Sequence, residues 1–163
     1  MIQAKLQLST PSDREIVMTR DFNAPARLVF DAYTKPELLK RWFNGPEGWS
    51  LVVCEVDLRV DGAYRFVWRG PDGNDMGLGG VYREVVRPER LVSTEIFDED
   101  WTGGETLVTA LFVERGQTTT FSMTVLYASQ EARDGAMCSG MEQGVGYGFD
   151  RLADLLATLE TTS

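Results

Sequence analysis

Over most of the stretch from Trp49 to Tyr127 apolar residues recur with a period of two, and this pattern constrains the chain more than any other feature. It predicts six strands: Ser50 to Leu58, Ala63 to Arg69, Gly79 to Val86, Leu91 to Phe97, Thr106 to Glu114 and Thr118 to Tyr127. Asp61-Gly62, Pro71-Asp72-Gly73, Arg87-Pro88-Glu89-Arg90 and Arg115-Gly116 separate several of them, and such residues supply the positive or fixed φ that tight reversals need. Strands joined in this way run antiparallel.

The flanks have a different period. Residues 1–12 carry no clear pattern and are expected to form an irregular lead-in or a short edge strand, ahead of one domain over 13–160. Glu15 to Phe22 alternates as a strand, and Asn23-Ala24-Pro25 stops it. Leu28, Val29, Ala32 and Tyr33 then fall at helical spacing over 25–34, and a second brief amphipathic helix covers 37–43. After the strands, Met137, Met141, Val145, Phe149, Leu152, Leu156 and Leu159 form the stripe of one long helix from Ser129 to Leu159. Gly140, Gly144 and Gly148 lie beside that stripe, which predicts a groove where the sheet or a ligand comes close to the helix backbone.

The order is α+β: about seven antiparallel strands, two short helices after the first, and a long C-terminal helix. One face of such a sheet needs a partner, and the long helix offers the largest apolar stripe, so the sheet is expected to curve around it as a helix grip. The volume between them is either filled by side chains or left as a pocket. Tyr64, Phe66 and Trp68 share one strand face, as do Phe121, Met123, Val125 and Tyr127, and both sets are expected to point inward. Gly80 removes volume between them.

Composition excludes more than it assigns. A chain of 163 residues with 43% apolar and 25% charged residues suits one soluble domain. The net charge of −9 argues against nucleic acid or an anionic membrane surface as partner. Histidine is absent, which removes Ser-His-Asp triads, Cys-His pairs and histidine metal sites from this chain. With only Cys54 and Cys138, no disulfide framework is possible, and neither a metal nor another cofactor is expected. The sequence shows no signal peptide and no apolar run near membrane length, so a cytoplasmic protein is expected.

Several short motifs occur in a fixed order: Phe22-Asn23-Ala24-Pro25 before Val29-Phe30-Asp31-Ala32, then Trp42-Phe43 ahead of Gly45-Pro46-Glu47-Gly48-Trp49, then Asp57 to Phe66. Pro88-Glu89-Arg90-Leu91-Val92 before Thr94-Glu95-Ile96-Phe97-Asp98, and Gly140-Met141-Glu142-Gln143-Gly144 before Asp150-Arg151-Leu152, complete the set. In these the chain resembles the START-like (SRPBCC) superfamily, in the branch related to the C-terminal domain of the heat-shock-protein-90 ATPase activator. The resemblance implies a helix-grip fold with an internal cavity that takes apolar small molecules, with catalysis confined to some relatives. The sequence has Asp61-Gly62 where relatives often carry two glycines, and Met141 where a tryptophan is common. Nothing in the chain corresponds to the activator's additional N-terminal domain, so chaperone activation is not the expected role.

Three functions are open to such a chain. The first is binding of a small apolar or aromatic molecule between the sheet and the C-terminal helix, by a monomer or homodimer. Its candidate lining is Phe66, Trp68, Tyr82, Glu95, Trp101, Phe112, Phe121 and Met123 with Met137, Met141 and Val145 of the helix. Each of these serves equally as plain core, and Trp101 lies in an acidic, glycine-rich loop that suits a lid or an ordinary turn. The second is a cyclase, hydrolase or isomerase using Glu95 with Tyr64 or Tyr82. Glu95 shares a strand face with Leu91, Ser93 and Phe97, so it is a buried carboxylate, an exposed one, or a structural partner of Arg65 or Arg83. The third is a protein-interaction module that contacts a chaperone.

Overall fold

The structure is a computed structural model and describes residues 5–99 and 104–160. Its elements run β1 (Gln7–Ser9), β2 (Glu15–Phe22), α1 (Ala26–Thr34), α2 (Pro36–Trp42), β3 (Ser50–Val56), β4 (Ala63–Arg69), β5 (Asp75–Val86), β6 (Arg90–Phe97), β7 (Thr106–Arg115), β8 (Thr118–Leu126), α3 (Gln130–Met137) and α4 (Met141–Glu160). The described strands form one eight-stranded sheet in the order β1-β2-β8-β7-β6-β5-β4-β3, antiparallel throughout. The strand beyond the seven expected is β1, a three-residue edge within the lead-in. β5 begins at Asp75, earlier than its sequence pattern implied, because Met76 to Leu78 pair with β4.

Alternation decides which face is buried. Ile16, Met18, Arg20 and Phe22 of β2 point inward, as do Tyr64, Phe66 and Trp68 of β4 and Phe121 and Val125 of β8. Burying an aliphatic or aromatic side chain of this size contributes about 1.5–3 kcal/mol, so this inner face is the main source of stability. Two helices close one part of it. Pro25 sets the entry to α1, and the Ala26 N–H donates to Glu114 Oε1 of β7 at 2.7 Å, placing a carboxylate at the helix start where the dipole favours it. Pro36 opens α2, and Trp42 at its end donates from Nε1 to the Ala32 carbonyl at 2.8 Å, locking the two helices together.

The stretch from Ser129 to Leu159 is two helices, not the single one its periodicity predicts. Ser129 caps α3 by accepting from the Ala132 N–H at 3.0 Å, and the helix ends at Cys138, where Ser139 Oγ donates to the Ala136 carbonyl. Gly140 then takes φ +83°, a left-handed conformation that a helix cannot continue through without strain. α4 starts afresh at Met141 and docks mainly through its second half: Phe149, Leu152, Leu155 and Leu156 are buried. Phe149 sits among Phe22, Trp42 and Phe121, its ring perpendicular to Phe121 at 5.3 Å. The expected glycine groove is also absent. A Cβ on Gly144 would meet open space, and one on Gly148 would touch only the Trp42 ring at 3.8 Å.

Candidate functional site

One cavity lies under α1 and α2, with no wall residue from α4. Its walls are Tyr33 and Leu39 from the helices, Phe43 just beyond them, Tyr64 and Phe66 of β4, Leu78 and Tyr82 of β5, Leu91, Ser93 and Glu95 of β6, and Val108 of β7. Its volume is about 60 Å³ and it is partly open to solvent. Phe43, Phe66, Tyr64 and Tyr82 form a continuous aromatic wall with successive ring centroids 5.4, 5.3 and 5.2 Å apart.

The sheet is locally opened where Glu95 stands. Strands β5 and β6 pair at Gly79–Ile96 and again at Tyr82–Ser93, but not between. In the gap the Tyr64 hydroxyl donates to the Thr94 carbonyl at 2.6 Å, and the Val81 N–H donates to Thr94 Oγ1 at 3.0 Å. Gly80 belongs to this gap, because a Cβ there would run into the Thr94 carbonyl and the Tyr64 ring. Its small size serves the backbone approach, not the cavity volume.

Glu95 is the one carboxylate in the wall, and burial alone pushes its pKa from 4.5 up to about 7. Protein surrounds it closely, and what surface it keeps is consistent with its place on the partly open cavity. Neither arginine that could pair with it from sequence does so: Arg65 is engaged bidentately by Asp98 at 2.9 and 2.7 Å, and Arg83 is exposed. The hydroxyls nearby respond to its charge. Tyr33 and Tyr64 are raised well above the ordinary tyrosine value, first by burial and then by Glu95, and Tyr127 is pushed up to about 12 by the same two causes. Tyr82 is raised by burial and then by Cys54. All four stay protonated near neutrality and can donate hydrogen bonds.

The other candidate residues are placed differently. Phe66, Tyr82 and Glu95 meet in the cavity wall. Phe112 and Phe121 lie in the core against Tyr33, at 5.9 and 5.2 Å. Trp68 donates from Nε1 to the Phe43 carbonyl at 2.8 Å and stands edge-on to the Phe43 ring, behind the wall. Met123 accepts from the Tyr33 hydroxyl at 3.5 Å. Met141 is near the Tyr127 hydroxyl, Val145 is half-buried, and Met137 is 38% exposed. Trp101 lies outside the described residues. Tyr33, Leu39, Leu78 and Val108 are wall residues that the pattern did not single out. Their only signal is membership of apolar stripes whose partners are set by long-range packing.

Among the described residues no group of three cysteines or carboxylates is placed to hold a metal ion. No described helix is long and apolar enough to cross a membrane.

Residues 23–157 match the family model described as activator of Hsp90 ATPase homolog 1-like protein. The chain belongs to this family. Among solved structures, a Rhodobacter sphaeroides protein is 34% identical with a TM-score of 0.89, over 94% of this chain and 99% of that one. A Chromobacterium violaceum protein is 26% identical at TM-score 0.74, over 89% and 98% of the two chains. A Nitrosomonas europaea protein, 24% identical, shares the fold at TM-score 0.81 over 93% and 99%. No curated protein matches the sequence. As a member of the Hsp90-activator-homologue family, the chain has the α+β sheet-and-helix architecture that its strand order displays.

Proposed function

We propose that this family member binds a small molecule in the cavity under α1 and α2, with Glu95 as its polar anchor. The observation that carries the reading is a half-buried carboxylate facing a partly open, aromatic-walled cavity with no arginine or lysine in the wall. Small-molecule sites have this make-up of apolar walls with a few polar groups. The volume of about 60 Å³ is well below the roughly 300–1,000 Å³ of sites that enclose a whole drug-sized ligand, so only the end of a ligand enters it. A larger apolar body extends through the open side.

Catalysis is a second reading, supported by the placement of Glu95 and the tyrosines Tyr64 and Tyr82 on one cavity. The Tyr64 hydroxyl is already committed to the Thr94 carbonyl, which favours binding over proton transfer through that residue. The family name brings a chaperone-associated role into consideration, and the cavity gives the small-molecule reading the more specific support.

Native mass spectrometry of protein purified from its own source tests the binding reading. A small molecule that travels with the folded chain and is released on denaturation is the expected result. A bare chain mass, together with a cavity that takes up no fragment in solution, overturns it.

A further inference from the structure

We infer that the cavity around Glu95 selects a small primary ammonium group, with the carboxylate as its ion partner and the rings of Phe66, Tyr64 and Tyr82 as its walls. The inference rests on the cavity being the binding site and names the chemistry of its ligand.

The argument is one of unmet charge. Asp98, Asp75 and Asp31 each hold an arginine, at 2.7, 2.8 and 2.8 Å. Glu95 has no ion pair among the described residues and no lysine or arginine beside it in the wall. A carboxylate taken out of water without a cation is costly, and a ligand cation that reaches it recovers that cost as affinity. Two of the neighbouring hydroxyls are occupied: that of Tyr64 is bonded to Thr94 and that of Tyr33 points to the Met123 sulfur. The aromatic wall favours a cation over an anion, because ring faces carry negative charge. An anionic ligand would meet Glu95 without a compensating cation. The small volume excludes bulky quaternary groups and suits a primary ammonium on a slim chain.

Three probes of nearly equal size separate the possibilities: ethylammonium, ethanol and acetate, titrated at pH 8 into the full chain and followed by NMR of the tyrosine and methyl resonances. Probes with so few heavy atoms bind no tighter than the millimolar range. Ethylammonium is expected to shift cavity resonances saturably and to bind about tenfold more tightly than ethanol, with acetate weakest, since a charged hydrogen-bonded pair is the added interaction. Glu95→Gln removes the preference for ethylammonium over ethanol, whereas Glu84→Gln, at an exposed carboxylate paired with Arg90, keeps it. Ethanol or acetate binding as tightly as the amine in the unaltered protein overturns the inference, as does a preference that survives Glu95→Gln. Either result leaves the cavity itself as a binding site. If none of the three probes moves a cavity resonance, the binding reading falls and the inference with it.

Discussion

The Tyr64 hydroxyl donates a 2.6 Å hydrogen bond to the Thr94 carbonyl, at the place where β5 and β6 cease to pair. A side chain of β4 thus reaches across β5 to a β6 carbonyl that the missing β5–β6 rung leaves free. Tyr64→Phe keeps the ring in the aromatic wall but leaves that carbonyl, which sits beside Gly80, without its donor. The expected cost is about 1–3 kcal/mol in urea denaturation, the penalty for a buried polar group left unpaired. An unchanged midpoint would show that solvent or a shifted strand satisfies Thr94 instead.

Glu95 makes stability depend on pH in a predictable direction. Its pKa rises from 4.5 to about 7 on folding, so the folded chain holds the proton more tightly than the unfolded one. Below about pH 4 the group is neutral in both states and costs nothing. Stability then falls as pH rises through about 7, where the buried carboxyl must ionise. The full loss is on the order of 3 kcal/mol. Tyr33, Tyr64, Tyr82 and Tyr127 face this region, and their pKa values are raised, so none of them titrates in that window. Glu95→Gln is therefore expected to unfold with wild-type stability near pH 4 and to be more stable by on the order of 3 kcal/mol at pH 8. Denaturation of both proteins at the two pH values checks the sign: a variant less stable than wild type at pH 8 contradicts it.

Two glycines of one stretch should respond to alanine with opposite signs. Gly140 adopts φ +83° in the break between α3 and α4, a conformation that costs an L-residue about 1–2 kcal/mol. Gly144 lies within α4, is exposed, and has open space where a Cβ would go. Gly144→Ala is expected to stabilise the protein by up to about 1 kcal/mol, and Gly140→Ala to destabilise it by about 1–2 kcal/mol. Thermal midpoints moving the same way for both variants would mean that the break is not fixed by Gly140.

These two glycines also show why part of the fold was legible in the sequence and part was not. Met137, Met141, Val145 and Phe149 keep steps of four straight across the break, so periodicity cannot reveal one left-handed residue between two helices. Strands were easier, because each inward residue is fixed by alternation within its own segment. The same logic puts Glu95 on a face with the buried Leu91 and Ser93 and leaves open whether an arginine pairs with it. It could not locate the cavity. That depends on where Tyr33 and Leu39 of α1 and α2 land on strands that lie far along the chain, and on Phe149 taking the space beneath α4. Nor does alternation signal that an inward position carries an arginine, as β2 does at Arg20.

Arg20 is 3% exposed, and its described ionic partner is Asp150 of α4, which is 58% exposed. The contact is 3.4 Å from Nη1 and lacks hydrogen-bond geometry, since both Nε and Nη1 are buried without a hydrogen-bond partner. The Phe22 ring lies 5.0 Å from the guanidinium and offers partial compensation. An ion pair of this kind recovers little of the cost of taking the guanidinium out of water. Arg20→Met, which keeps an unbranched chain of similar length, is therefore expected to be within about 1 kcal/mol of wild type or more stable. Asp150→Ala leaves the charge of Arg20 buried alone and is expected to cost about 1–3 kcal/mol, below the range for fully buried pairs because Asp150 is solvated. In the double variant the loss should disappear, since Asp150 then has no charge to balance. A double-mutant cycle measured by urea denaturation decides the matter. If Arg20→Met costs more than Asp150→Ala, the arginine is held by interactions other than this pair and the ring beside it.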